Sequence, residues 1–346
     1  MKVLAALSGG VDSSVAAALL VEEGHQVVGA TMKLWGGPSD SGCCSVSDVD
    51  DARRVCHQLG IDHHVFNFSE DFQRHVVDPY VDAHRSGLTP NPCIECNRHI
   101  KFDRFLDRAL QLGFDAVATG HHARVEPRPG GTAALVRGRD GAKDQSYVLS
   151  MLGQAQLSRL ILPVGEMTKA EVRAEASRRG LRTAVKPDSQ DVCFITASAG
   201  RTAFLSDRIE LHPGRLVESV TGATVGTVDA IELVTVGQRR GIGAGPDGRR
   251  HYALSVDPAA GQVRVGPIEA LMTDVVGVGP WTWTAGPLAP GAAVSAQLSA
   301  HGRPLPARLG ADATQVHLAE PTRRVAAGQT VALYDGDEVL GSAVAR

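Results

Sequence analysis

Hydrophobic positions in the first half of the chain come in short runs, separated by stretches with a single apolar face. The apolar run at residues 3–7 predicts a buried strand, and the run at 15–20, rich in Ala, Val and Leu, predicts a helix. Further strands are predicted at 26–32, 62–68 and 115–119, with helical patterns between them. Strands that alternate with helices are typical of the α/β class, so we expect an open parallel sheet.

The pattern changes after residue 205. Helical periodicity stops, and short alternating runs separated by Gly, Pro and Asp take its place. From about residue 270 strands recur at short spacing, which predicts a small closed β-barrel. The predicted units are an α/β domain at 1–205, a small β-rich central domain at 206–270 and a C-terminal β-barrel at 271–346.

Composition narrows the class of protein. At 346 residues the chain is long for one core, which agrees with several domains. The six cysteines do not make a disulfide framework at this length, and the chain has neither an apolar run of membrane-spanning length nor a signal-peptide pattern. We therefore expect a cytoplasmic protein without membrane attachment. The net charge of −3 does not by itself indicate a nucleic-acid-binding protein. A local basic face is nevertheless enough to bind a nucleic acid.

The string Ser-Gly-Gly-x-Asp-Ser at residues 8–13 lies between the first strand and the first helix. Gly9 and Gly10 permit a sharp turn, and the helix start presents backbone N–H groups to an anion. Asp12 can cap the helix or help to hold Mg²⁺. An ordinary capped turn is the alternative. The full string is more specific than a Gly pair and looks like the pyrophosphatase loop of adenylating ATP enzymes, without the Gly-Lys-Ser/Thr of a Walker A loop.

Cysteines mark two further polar strings. Cys93 and Cys96 follow a Pro-Asn-Pro loop, and a helix is predicted to begin near Cys96 or Asn97. A thiol at a helix start beside basic side chains has a lowered pKa and is reactive. A zinc half-site is the alternative, although the chain has no second Cys-x-x-Cys to complete it. Cys193 lies in the polar string 186–195 and is by itself a candidate reactive thiol.

Three other stretches carry charge or Gly. A Pro/Gly-rich stretch at 126–138 predicts an exposed hairpin, and a helix capped by Thr168 is predicted at 167–180. Its charges, Lys169 among them, are interpreted mainly as a solvated face. The basic Gly loop at 236–243 makes Arg239 and Arg240 candidates for contacts to backbone phosphates.

Six strings occur in a fixed order along the chain, and together they resemble the bacterial tRNA-specific 2-thiouridylase family. They lie at residues 8–14, 89–102, 119–121, 143–147, 188–195 and 237–241. The resemblance spans nearly the whole chain. It implies a Rossmann-like domain of the adenine-nucleotide α-hydrolase type, followed by a central β-rich domain and a β-barrel. It also implies ATP-dependent 2-thiolation of the wobble uridine in tRNAs for Lys, Glu and Gln, with AMP and pyrophosphate as products.

The resemblance also implies roles for single residues. Cys96 matches the nucleophile, and Cys193 matches the cysteine that carries the incoming persulfide and forms a disulfide with Cys96 in each cycle. The positions that match ATP contacts are Ala6, Leu7, Ser8, Gly9, Gly10, Val11, Asp12, Ser13, Met32 and Gly120. Those that match tRNA contacts are His121, Lys143, Asp144, Gln145 and Gln329. The implied cofactors are ATP and Mg²⁺, and the implied partners are tRNA and a sulfur donor, either a cysteine desulfurase or a sulfur carrier. We expect a monomer.

One departure from the family pattern leaves two routes for sulfur open. Cys93 stands where many members of the family have Asp. Cys93, Cys96 and Cys193 could therefore hold a [4Fe-4S] cluster that brings sulfide to the activated base, instead of a persulfide relay. Two rival functions also follow from the residues. Another adenylating synthetase would share the loop but leave the cysteines unexplained, and a non-enzymatic nucleotide- or tRNA-binding module would need neither cysteine.

Overall fold

A computed structural model describes residues 1–35, 46–188, 192–195, 200–245 and 248–346. The strands of its first half are β1 (Lys2–Ala6), β2 (Gln26–Lys33), β3 (His63–Asn67), β4 (Ala116–Ala118), β5 (Ala123–Pro127), β6 (Ala133–Arg137) and β7 (Leu160–Ile161). The α-helices are α1 (Val11–Glu22), α2 (Val46–Leu59), α3 (Ser69–Phe72), α4 (Asp78–Arg85), α5 (Pro92–Glu95), α6 (Phe105–Gln111), α7 (Ser146–Leu149), α8 (Gln154–Leu157), α9 (Lys169–Arg178) and α10 (Gly200–Ser206). π-Helical segments at Gln73–Val77 and Cys96–Arg104 join α3 to α4 and α5 to α6.

Five of these strands form a parallel sheet in the order β3-β2-β1-β4-β7. The central strand β1 is apolar and almost wholly buried, as expected when helices cover both faces of a sheet. The predicted open parallel sheet is confirmed. The strand order reverses between β1 and β4, and in such sheets the crevice at the carboxyl ends of these two strands binds the ligand.

Strands dominate the second half. The central sheet has the order β10-β11-β8-β9, and its strands are β8 (Gly214–Glu218), β9 (Thr224–Val228), β10 (Tyr252–Asp257) and β11 (Gln262–Gly266). The strands that follow are β12 (Met272–Gly277), β13 (Thr282–Trp283), β14 (Ala293–Gln297), β15 (Leu305–Leu309), β16 (Gln315–Arg323), β17 (Thr330–Asp335) and β18 (Glu338–Val344). These last seven pair antiparallel with one another in one sheet, which we call the C-terminal sheet.

The C-terminal sheet is completed by the hairpin β5–β6 of the first half. Strand β6 pairs with β18, with Val136 opposite Glu338 and Leu135 opposite Val339. The stretch 126–138 was predicted to be an exposed hairpin. The hairpin is present, but its exposure was predicted wrongly, because the apolar run Ala-Ala-Leu-Val of β6 is buried against the C-terminal sheet.

The segment that contains Cys96 begins earlier than predicted. A helix was expected from Cys96 or Asn97, whereas α5 begins at Pro92 and continues through Cys96 without a break. The side chain of Asn91 caps this helix by accepting a hydrogen bond from the Cys93 N–H at 3.1 Å. Proline is well suited to the first helical position, because it needs no partner for an N–H there. Cys93 therefore lies in the first turn of the helix. Cys96 lies after that turn, where the helix dipole has little effect on a thiol.

Candidate active site

The Ser-Gly-Gly turn connects β1 to α1 at the point where the sheet order reverses. Gly9 has a φ of +73°, and a Cβ at this position would lie 2.4 Å from the Asp48 carbonyl oxygen, so only glycine fits. The hydroxyl groups of Ser13 and Ser14 donate to the Gly10 carbonyl at 3.1 and 2.8 Å. The turn is thereby held in shape by α1, and the first N–H groups of α1 face the crevice side of the sheet.

Gly120, which directly follows β4, lies against the first turn of α1. A Cβ at Gly120 would be 2.5 Å from the Ser13 nitrogen and 2.6 Å from the Asp12 carbonyl carbon. Met32, near the end of β2, packs between two apolar clusters at the same edge of the sheet. The structure thus brings the predicted ATP contacts at 6–13, 32 and 120 to the ends of three adjacent strands.

Asp12 is the centre of an ion cluster that we did not expect from the sequence. Its carboxylate accepts hydrogen bonds from Lys169 Nζ at 2.7 and 2.8 Å and contacts His122 Nε2 at 3.1 Å. Burial raises the pKa of Asp12, but the bonds to His122 and Lys169 outweigh burial and hold that pKa below its usual value. The interpretation of Lys169 as part of a solvated face is wrong, because its side chain is only 13% exposed.

A second carboxylate, Asp188, belongs to the same cluster. It accepts from Lys143 Nζ at 2.8 Å, from Lys169 Nζ at 2.9 Å and from Arg173 at 2.6 Å. Although burial raises its pKa, these cations lower it far below the usual value. The cluster therefore places three cations and two carboxylates beside the Ser-Gly-Gly turn at residues 8–10, the predicted phosphate-binding turn, which we call the phosphate turn. Lysine and arginine side chains bind phosphate as well as carboxylate. These cations can therefore exchange their bonds to Asp12 and Asp188 for bonds to the phosphates of a nucleotide.

Cys96 and Cys193, which are far apart in sequence, pack in one apolar cluster. Cys96 is 7% exposed, Cys193 is half-buried, and both contact a cluster built on Phe72, Tyr80 and Phe194. The Phe194 ring lies 5.6 Å from that of Phe72 and 5.5 Å from that of Tyr80, so the residue after Cys193 is anchored by edge contacts to aromatic rings. Ser189 and Gln190 of the Cys193 string lie outside the described residues.

The residues present do not fit a metal cluster in this conformation. Within the described ranges, no three His, Cys, Asp or Glu side chains are arranged as ligands of one metal ion, and this includes Cys93, Cys96 and Cys193. Cys43 and Cys44 lie outside those ranges. The arrangement of these side chains therefore does not support the alternative route through a [4Fe-4S] cluster.

Several side chains that the family resemblance assigned to tRNA are bonded within the protein. His121 is buried, bonds Thr119 Oγ1 at 2.7 Å, and has a pKa well below its usual value because burial disfavours the charged ring. The Asp144 carboxylate accepts from Arg137 at 2.7 Å, and Gln145 Oε1 accepts from the His122 N–H at 2.8 Å. These residues support the loop at 140–147. Lys143 remains 44% exposed despite its bond to Asp188.

The remaining predicted tRNA contacts lie on other parts of the molecule. Arg239 and Arg240 are exposed in the loop between β9 and β10. Gln329 precedes β17, and its side-chain amide donates to the Thr89 carbonyl oxygen. The structure does not bring these three residues to the phosphate turn. None of the helices in the described ranges combines the length and the apolar character needed to span a bilayer.

Comparison with known proteins shows which family this chain resembles. Family models match residues 1–197 (tRNA methyl transferase HUP domain), 202–267 (tRNA methyl transferase PRC-barrel domain) and 275–345 (aminomethyltransferase beta-barrel domain). The tRNA-specific 2-thiouridylase MnmA of Renibacterium salmoninarum is 46% identical, over 99% of this chain and 96% of that protein. The protein of the same name from Chloroflexus aggregans is 47% identical, over 98% and 96%.

Among solved structures, the U34-tRNA thiolase NcsA from Methanococcus maripaludis with its [4Fe-4S] cluster aligns over 60% of this chain and 65% of that chain, with 19% identity and a TM-score of 0.37. The match to the curated relatives extends through the phosphate turn, both cysteine strings and the C-terminal sheet. The chain therefore belongs to the tRNA-specific 2-thiouridylase family.

Proposed function

We propose that this protein is a tRNA sulfurtransferase that uses ATP to replace the C2 oxygen of the wobble uridine by sulfur in tRNAs for Lys, Glu and Gln. One observation carries the proposal. A phosphate turn with its ion cluster and two cysteines from distant strings lie on the same α/β domain, and relatives over the full chain are 2-thiouridylases. The turn and the cysteines correspond to the two half-reactions of 2-thiolation, which are activation of the uridine by ATP and transfer of sulfur to it.

The first half-reaction activates a poor leaving group. The uracil C2 oxygen attacks the α-phosphorus of ATP, the bond to the bridging oxygen breaks, and pyrophosphate leaves with the bonding electrons. The N–H groups at the start of α1 and the ammonium groups of Lys169 and Lys143 stabilise the charge that develops on the leaving pyrophosphate. The Asp12 carboxylate, with the hydroxyl groups of Ser8 and Ser13, offers oxygen ligands suited to Mg²⁺, which would neutralise phosphate charge when bound.

The second half-reaction delivers sulfur. The terminal sulfur of a persulfide on Cys193 attacks C2, and AMP leaves with the former carbonyl oxygen. The Cys96 thiolate then attacks Cys193 Sγ, so that the S–S bond to the base breaks and its electrons form the thiocarbonyl. A Cys96–Cys193 disulfide remains and must be reduced before the next turnover. A cysteine desulfurase or sulfur carrier supplies the persulfide.

Nucleoside mass spectrometry after reaction of unmodified tRNA with ATP and a persulfide source tests the proposal. We expect 2-thiouridine at the wobble position, with AMP and pyrophosphate formed only when tRNA is present. Release of ADP, or AMP formation without tRNA, would contradict it.

Variants separate the two half-reactions. Cys96→Ser and Cys193→Ser should abolish thiolation and still adenylate tRNA. Both thiols pack in the apolar cluster of Phe72 and Phe194, whereas the groups that the proposal assigns to pyrophosphate lie at the start of α1 and on Lys143 and Lys169. Cys56→Ala is the matched control: this cysteine is buried beneath β2, its pKa is raised to about 12 by burial, and it should not affect sulfur transfer. Full thiolation by either serine variant would overturn the assigned roles.

A further inference from the structure

A short 3₁₀-helical segment of the central domain, Ile231–Leu233, contacts the apolar cluster around the two candidate thiols. We call it the 231–233 turn. The side chain of Leu233 packs against the cluster that contains Cys96 and Cys193. Ile231, at the other end of the turn, is buried in the core of the central domain. The turn therefore joins the core of the central domain to the surroundings of both thiols.

Two hydrogen bonds attach the backbone of the 231–233 turn to the first half of the chain. Arg201 on α10 donates to the Leu233 carbonyl oxygen at 2.9 Å, and His84 Nδ1 on α4 bonds the Glu232 carbonyl oxygen at 3.1 Å. Burial lowers the pKa of His84 to about 4, so the ring is neutral at pH 7. Because a carbonyl oxygen only accepts, the single ring proton lies on Nδ1. Two consecutive carbonyl groups of the turn are thus held by α10 and α4.

Other bonds hold the turn on the side of the central domain. Glu232 is 4% exposed, and its carboxylate accepts from the His212 N–H at 3.0 Å and bonds His212 Nδ1 at 2.8 Å. The Ile231 N–H donates to the His212 carbonyl oxygen at 2.8 Å. Since the turn is bonded on both sides, it supports the apolar cluster as a fixed part of the structure.

Aromatic contacts connect this support to the residue next to Cys193. The centroid of the His84 ring lies 4.6 Å from that of Tyr80, and the Tyr80 ring lies 5.5 Å from that of Phe194. Phe204 on α10 adds a second contact, with its ring 5.0 Å from that of Phe194. Phe194 directly follows Cys193 in the chain. The position of this thiol therefore depends on rings that lie against the 231–233 turn and its bonding partners.

We infer that Leu233 is a positioning residue for sulfur transfer, through which the central domain fixes Cys193 relative to Cys96. The inference rests on the proposed function, in which the Cys96 thiolate attacks Cys193 Sγ and displaces the sulfur that stays on the base. Such an attack needs the two sulfur atoms in contact and in line, and a displacement of about 1 Å can slow a reaction between positioned groups roughly 100-fold. The central domain would then contribute to the chemistry and not only to RNA binding.

Leu233→Ala in the full-length protein tests the inference. Without tRNA and ATP, the Cys96–Cys193 disulfide that diamide produces, followed by peptide mass spectrometry, should form roughly tenfold more slowly than in the wild type. In a single turnover with tRNA, ATP and a persulfide source, thiolation should slow by a similar factor. Release of pyrophosphate, which reports adenylation alone, should stay within about twofold of the wild-type rate.

Val228→Ala is the matched control. It also truncates a half-buried apolar side chain of the central domain, but Val228 packs against the core of that domain and not against the cysteine cluster. It should change none of the three rates. Leu233→Met keeps an apolar side chain of similar volume and should restore most of the disulfide formation and thiolation. If Leu233→Ala does not fold, Leu233→Val gives the same comparison with a smaller truncation.

A Leu233 truncation that forms the disulfide and thiolates tRNA as fast as Val228→Ala would overturn the inference. Pyrophosphate release that slows as much as thiolation would also overturn it, because the substitution would then disturb the whole domain and not the position of one thiol. Failure of the proposed function is distinguishable. In that case wild-type protein would release no pyrophosphate with tRNA, whereas the diamide reaction needs neither substrate and would still separate Leu233→Ala from its control.

Discussion

Lys169 is the side chain whose removal tests the ion cluster at the phosphate turn most directly. We expect Lys169→Met to destabilise the protein and to weaken its use of ATP. The lysine Nζ lies 2.7 and 2.8 Å from the two Asp12 oxygens and 2.9 Å from Asp188. Methionine has a side chain of similar length but carries no charge. Breaking a fully buried ion pair by removal of one partner costs about 3–5 kcal/mol.

The expected loss here is smaller. Asp12 is 29% exposed and keeps its contact with His122, and Asp188 keeps Lys143 and Arg173. We therefore expect a loss of about 2 kcal/mol in the free energy of unfolding. For a domain of this size that corresponds to a decrease of about 4–8 °C in Tm. Thermal unfolding at pH 7 measures it, and an ATP titration of tRNA adenylation should show a KM that is raised roughly tenfold.

The effect of Lys169→Met on stability depends on pH. The pKa of Asp12 is lowered in the folded state, so its bonds add stability above the unfolded pKa near 4, and this stability is lost as the pH falls through the lowered value. The difference between wild type and Lys169→Met should be full at pH 7 and shrink below about pH 4. Arg178→Met, on the exposed side of α9, is the control and should leave Tm unchanged. A difference that does not vary with pH, or a variant as stable as the control, would refute the reasoning.

Three further substitutions probe other contacts. Gly120→Ala should raise the KM for ATP and lower Tm, because the new Cβ would lie 2.5 Å from the Ser13 nitrogen and displace the first turn of α1; ATP titration and thermal unfolding measure both. Tyr147→Phe should lower the free energy of unfolding by about 1–2 kcal/mol in urea titrations, because it removes a buried 2.7 Å bond to the Thr330 carbonyl. Burial lowers the pKa of His84 to about 4, so stability should fall by up to about 3 kcal/mol as the pH drops from 6.5 towards 4, and His84→Gln should lack this decrease.

For each of the three substitutions, one result would contradict the prediction. An unchanged ATP KM in Gly120→Ala would mean that β4 and α1 separate without effect on the nucleotide site. Tyr252→Phe, at a half-buried tyrosine, is the control for Tyr147→Phe. Equal decreases in the free energy of unfolding would show that the bond from Tyr147 to the Thr330 carbonyl does not contribute to stability. For His84, parallel pH profiles of wild type and variant would show that another group is responsible for the acid sensitivity.

Local patterns predicted the parts of the fold that depend on neighbours in sequence. The strand–turn–helix at the start of the chain follows from an apolar run, two glycines and good helix formers within 20 residues. The start of α5 carried a readable signal, because Asn91-Pro92 is a typical N-cap followed by a first-turn proline. The predicted start at Cys96 or Asn97 is at least four residues too late, because Pro92 lies in the first turn of the helix and not in an irregular loop.

Contacts between distant segments could not be predicted in this way. Lys169 bonds Asp12 across 157 positions of sequence, and no periodicity within α9 distinguishes it from its exposed neighbours. The burial of β6 likewise depends on β18, some 200 residues later. The roles of Cys96 and Cys193 came from the family resemblance, and their shared apolar cluster became visible only in three dimensions.

The pairing of β6 with β18 has a consequence for how the chain is made. The partner residues Glu338 and Val339 are synthesised about 200 residues after β6. At elongation rates of about 5–20 residues per second, one edge of the hairpin therefore stays unpaired for roughly 10–40 s. An apolar strand with an open edge can pair with other chains during that time. The first half of the chain thus depends on β18 for the pairing of its own hairpin. Deletion of residues 337–346, which contain β18, should therefore reduce the soluble yield of the whole chain, and not only remove a strand from the C-terminal sheet.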